Sequence, residues 1–97
     1  MNERLREQID DAIMTDVHWQ DFPHEQSDLN RSEMSEYLAK LFIVGRIQLS
    51  EYEQAHEACT TSNLRLTNVI KKNLFALFEE LYPPTHDESI SVFVESV

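Results

Sequence analysis

Gly45 is the only glycine in the 97-residue chain. Average usage of about 7% would supply roughly seven, and glycine is what tight hairpins, phosphate-cradling loops and other positive-φ turns draw on. Its scarcity turns the chain away from hairpin-built sheets and towards helices. Hydrophobic residues make up 41% of the sequence, enough for a packed core and too many for a disordered acidic tail. About 100–150 residues is the common size of one domain, and a chain this short buries only about 60–65% of its unfolded surface. The expectation is a single all-α domain over residues 1–97, built from three to four helices.

Apolar periodicity places those helices. Leu5, Ile9, Ala12 and Ile13 stand at i, i+4, i+7 and i+8, one stripe of a helix predicted over about 2–20. Val17, Trp19 and Phe22 carry apolar content on to Pro23, which must end any helix there. Residues 23–30 read as a polar connection. Asn30 with Glu33 three residues on resembles a capping box, and Met34, Tyr37, Leu38, Leu41 and Phe42 then recur at helical spacing, predicting a helix over 31–44. With Ile43 and Val44 its last turn is apolar nearly all round, so it needs cover on more than one side, from this chain or from another subunit. Gly45 then falls where a left-handed residue stops a helix.

Ser50-Glu51-Tyr52-Glu53 is a further capping box. From there Tyr52, Ala55, Cys59, Leu66, Ile70, Leu74, Leu77, Phe78 and Leu81 keep a helical rhythm up to Tyr82 and the Pro83-Pro84 stop. The interruption is Thr60-Thr61-Ser62-Asn63, residues that prefer caps and turns. Either one helix spans 50–82, roughly 48 Å long, or two helices meet near Thr61. An unbroken helix would protrude from a domain whose radius of gyration is about 12–13 Å, and would call for a partner. Residues 85–97 fit a short helix on Ile90, Phe93, Val94 and Val97, or a strand on Ile90, Val92 and Val94.

Charge and missing motifs then narrow the function. Eight Lys and Arg stand against 18 Asp and Glu, a net charge of −10, which repels phosphate backbones and argues against direct nucleic-acid binding. Arg31, Lys40, Arg46, Arg65, Lys71 and Lys72 all lie centrally, leaving the ends acidic. No uniformly apolar run, Leu41–Val44 and Leu74–Phe78 included, approaches the 18 or so residues that span a bilayer. Met1–Arg6 leads straight into amphipathic sequence without an apolar signal core, so a cytoplasmic protein is expected. Cys59, the only cysteine, permits no internal disulfide and reads as a buried small hydrophobe.

Two constellations suggest metals. Glu53 and His56 form the Glu-x-x-His of carboxylate-bridged bundles, but one copy exists and Cys59 would set a soft thiolate beside it. Asp16, His18, His24 and Asp28 would need their connection folded back on itself. No nucleotide-binding glycine motif is present, and no nucleophile, base and oxyanion donors group together. No enzyme activity, catalytic residue, cofactor or metal ligand is therefore expected.

Three functions follow. The first is a non-enzymatic interaction or regulatory protein, dimeric through a seam of Leu38, Leu41, Phe42, Ile43, Val44, Leu66, Ile70, Leu74, Leu77, Phe78 and Leu81, unless those side chains are core. Its acidic residues would meet a protein partner with a basic surface. The second is an acidic nucleic-acid mimic of the phage or mobile-element inhibitor type, with Glu3, Glu7, Asp10, Asp11, Asp16 and Asp21 standing in for phosphates before a nuclease, polymerase, repressor or CRISPR complex. The third is a small metal-binding bundle.

Overall fold

The computed structural model describes residues 3–61 and 64–84. Four helices follow one another: α1 (Glu3–Met14), α2 (His24–Ile43), α3 (Leu49–Thr60) and α4 (Asn68–Leu81), with a 3-10 turn at Trp19–Asp21. No strand occurs among the described residues, and the chain is all-α. The expected tail helix or strand over 85–97 lies outside the described residues.

α1 buries Leu5 and Ile9 and half-buries Ala12 and Ile13, the stripe that periodicity picks out. It stops at Met14 rather than continuing to residue 20. Thr15 Oγ1 donates back to the Asp11 carbonyl (2.9 Å) and Asp16 Oδ1 accepts from the His18 amide (3.0 Å). Such side-chain bonds to backbone compete with helix and favour turns. The 3-10 turn then brings Trp19 onto the core and leaves Val17 in solvent.

α2 begins seven residues before the expected start at 31, directly after Pro23 in extended conformation. Residues 24–30 belong to the helix and are not a connection, because the inward positions of its first two turns are polar. Ser27 and Asn30 are fully buried, so hydrophobic periodicity has nothing to report there, and Asn30 lies inside the helix instead of capping it. Their partners come from the extended stretch between α3 and α4. Asn30 Nδ2 donates to the Leu66 carbonyl (2.8 Å) and to Asn68 Oδ1 (2.9 Å). The Leu66 amide donates to Ser27 Oγ (2.8 Å), and Arg31 Nη1 to the Leu64 carbonyl (2.7 Å).

The unbroken helix over 50–82 is not formed. α3 ends at Thr60, whose Oγ1 turns back to the His56 carbonyl (2.5 Å). Thr61 is extended, Leu64 and Leu66 enter the core, and Thr67 caps α4 by accepting from the Ile70 amide (3.0 Å). The break adds a polar staple and lets Leu64 join Leu66 in the core, where a straight helix would have turned Leu64 about 140° away from the Cys59–Leu66 face. α3 starts one residue before Ser50, with Gln48 at the cap and no side-chain cap bond, so the Ser-x-x-Glu sequence lies within its first turn.

Gly45 stops α2 as its sequence position suggests, at φ +81°. The Gly45 amide donates to the Phe42 carbonyl (3.1 Å) and the Arg46 amide to the Leu41 carbonyl (2.8 Å), the paired bonds of a Schellman motif. One core joins Leu5, Ile9, Met34, Leu38, Leu41, Ile47, Ala55, Ala58, Cys59, Leu64, Leu66, Ile70, Leu74 and Phe78. The molecule is only 18 Å across its thinnest direction, under two helix diameters of about 10–12 Å each, so every helix keeps a face towards solvent.

Candidate functional site

The Schellman turn decides which apolar residues turn inwards at the junction of α2 and α3. Leu41 and Ile47 are buried, whereas Phe42, Ile43, Val44 and Leu49 stand out, Ile43 at 79% and Leu49 at 55% exposure. Four large apolar side chains within eight residues form an apolar corner on one rigid reversal. Phe42 is held against Tyr52 of α3, the rings stacked at 5.2 Å between centroids.

Polar contacts brace the chain beside this corner. Arg46 Nε donates to the Tyr82 carbonyl (2.7 Å) and Arg46 Nη2 to Glu79 Oε2 (2.8 Å), where the Tyr37 hydroxyl also donates. The Tyr37 bond, with Arg46, holds the Glu79 carboxyl below the usual carboxylate range. Burial and the same carboxylate push the Tyr37 hydroxyl well above its ordinary value. The Tyr82 hydroxyl donates to Glu51 Oε2 (2.7 Å), tying the end of α4 to α3. The turn is therefore clamped to the C-terminal end of α4.

The expected seam divides. Leu38, Leu41, Leu66, Ile70, Leu74 and Phe78 are buried inside the single chain, Leu77 and Leu81 are half-buried, and Phe42, Ile43 and Val44 are exposed. Six of the eleven are thus used up as core. Leu49 escapes sequence reasoning because it directly precedes the apparent capping box and falls outside the apolar rhythm; its sole signal is an apolar residue at a helix start.

The acidic residues do not form one surface. Glu7, Asp10 and Asp11 are exposed on α1, opposite the Leu5–Ile9 stripe, and Glu3 opens the same helix. Asp10 pairs with Arg6 (3.5 Å). Asp16 is half-buried and occupied in its turn, and Asp21 is exposed at the end of the 3-10 turn.

Among the described residues no group of three or more His, Cys, Asp and Glu converges as a metal site would require. Arg65 donates to His24 Nε2 and to the Phe22 carbonyl (2.8 Å), while Asp28 pairs with Arg31, so these two members of the suggested metal set hold up the start of α2. Cys59 is buried, and burial pushes its thiol up to about 12. Ser35 Oγ lies 3.0 Å from His56 Nε2, a hydroxyl-and-base contact, but the other ring nitrogen faces Thr60 Oγ1 (3.4 Å) instead of a carboxylate that would orient it. The pair cross-links α2 and α3.

Among the described residues, no helix is long and apolar enough to cross a membrane. Compared with protein-family models, curated proteins and solved structures, the chain matches none.

Proposed function

We propose that the protein is a non-enzymatic interaction module that grips a protein partner through the corner of Phe42, Ile43, Val44 and Leu49. The observation that carries this is the exposure of four large apolar side chains within eight residues of one braced turn, whereas the other exposed large apolar residues among the described ones, Met14, Val17, Leu29 and Val69, stand singly along the chain. A monomer leaves single apolar residues in water at little cost, whereas a contiguous patch of them marks a contact surface. A rigid turn loses little conformational entropy on binding, so more of its burial energy appears as affinity. The net charge of −10 selects a partner whose surface around the contact is basic, by long-range attraction.

The test compares the full chain with a Leu49→Asp variant as immobilised bait in extract of the native cell. Leu49 is 55% exposed, so the variant should keep the wild-type circular dichroism spectrum. The wild type is expected to retain a protein at 0.5 M salt that the variant does not. Equal retention by both, or none by either, overturns the proposal.

A second reading, the nucleic-acid mimic, draws on Glu7 and Asp11, which form no ion pair among the described residues and lie on the outward arc of α1. It calls for a complex that competes with DNA or RNA and weakens steeply with salt; a complex indifferent to salt removes it.

A further inference from the structure

Glu36 and Lys40 stand one turn apart on the solvent side of α2, at the spacing where opposite charges ordinarily pair along a helix. Both are exposed, and neither forms an ion pair with the other or with any described residue. Glu33, one turn earlier, is already paired with Lys71. Ala39 and Ile43 flank the unpaired charges, and together with Glu33 and Tyr37 they line a shallow open depression of about 500 Å³. At about 100° per residue, Leu29, Glu36, Ala39, Lys40 and Ile43 share one arc of roughly 100°, opposite the buried Met34, Leu38 and Leu41. Leu29, on that arc, is 60% exposed.

We infer that this arc is a homodimer seam, with the α2 helices of two copies antiparallel about a two-fold axis level with residue 38. In that arrangement residue 38 + k of one copy faces 38 − k of the other, so Glu36 meets Lys40 of the second copy and the symmetry makes the pair twice. A parallel pairing would set Glu36 against Glu36 and Lys40 against Lys40, so the charge order selects both the partner and its direction. Ala39, beside the axis, lets the backbones approach. Leu29 of each copy falls about 6 Å past Ile43 of the other, at the turn that carries Val44. The exposed leucine and the apolar corner thereby cover one another. This deepens the interaction-module reading by naming a second copy as the occupant of its α2 side, and leaves Leu49 and Phe42 for the partner.

The test is size-exclusion chromatography with light scattering on the full chain at micromolar concentration and low salt. The wild type should run at twice its 11.4 kDa, and Glu36→Lys or Lys40→Glu alone should weaken the dimer roughly tenfold, since each change makes two like-charge contacts. The Glu36→Lys, Lys40→Glu double variant should restore it, and Ile43→Asp should abolish it, all with unchanged circular dichroism. A monomeric wild type, which leaves the face to another protein, overturns the inference. So does a dimer indifferent to the single reversals, or a double variant that stays weak. None of these results touches partner capture through Leu49, so the two proposals fail separately.

Discussion

Replacing Asn30 by alanine should cost more than any other polar truncation among the described residues. The side chain is fully buried, donates to the Leu66 carbonyl at 2.8 Å and to Asn68 Oδ1 at 2.9 Å, and accepts from Gln26 Nε2 at 3.3 Å. Leu66 is itself fully buried, so water cannot replace the lost donor, and a stranded buried carbonyl costs about 1–3 kcal/mol. The void left by the amide adds about 1 kcal/mol, giving a total near 2–4 kcal/mol against a whole-domain stability of about 5–15. Asn68 is exposed, so Asn68→Ala should cost under about 0.5 kcal/mol, water taking over its contact. Urea unfolding followed by circular dichroism reads the difference. With a slope of about 1–1.5 kcal/mol per molar, the Asn30→Ala midpoint should fall by about 2 M while that of Asn68→Ala hardly moves. An Asn30→Ala midpoint within 0.5 M of wild type would refute the claim that this amide staples the α3–α4 connection to α2.

Gly45→Ala should cost about 1 kcal/mol, purely for holding a Cβ at φ +81°, since the added carbon meets nothing within 4 Å; a neutral or stabilising effect in the same urea assay would contradict the turn geometry. The Glu79 carboxyl is held below the usual range, so its contribution is present above the unfolded value near 4.3 and is lost as pH falls through the lower folded value. The side chain is 47% exposed, so the contribution is under about 1 kcal/mol, and Glu79→Gln should flatten the fall in stability below about pH 4. Cys59, with its thiol pushed up to about 12 by burial, should react with a disulfide reagent at neutral pH only as fast as the chain opens, and immediately in denaturant; prompt labelling of the folded protein would place it elsewhere.

The helical class was readable from the scarcity of glycine, and the stop at Gly45 from the one copy present. The stripe of Leu38, Leu41, Ile70, Leu74 and Phe78 was readable from helical spacing, but spacing alone left open whether it faced this chain's own core or a second copy. The first turns of α2 were not, since Ser27 and Asn30 do inside the protein what turn residues do outside it: they bind backbone. Nothing local marks their partners, 36–39 residues away. The break at Thr61 had a local cause that competed with a strong downstream rhythm, and the contacts that decide it are again distant. The surplus at Phe42–Val44 was visible as a turn apolar on all sides. Its outward share could be assigned only once Leu41 and Ile47 were seen to take the inward places, and the same knowledge separates Leu49 from the capping box behind it.

The lone glycine links fold and site. Phe42 and Ile43 are helical and Val44 nearly so (φ −85°, ψ 2°), so their side chains fan round the end of α2 at about 100° each, and a helix that ran on would carry Leu49 more than a turn beyond them. The left-handed residue instead reverses the chain, and Arg46, bonded to the Tyr82 carbonyl and Glu79, fixes the direction in which it leaves. Leu49, at the start of α3, is thereby returned to the end of α2 that carries Phe42, Ile43 and Val44. Because Glu36 and Lys40 lie a turn and more behind that reversal, the charges that would align a second copy are set by α2 alone, while the grip on a different protein depends on the turn. Loss of the turn should therefore remove the grip on the other protein, and take from the second copy only the apolar cover at Val44 while its charge pairing stays in place.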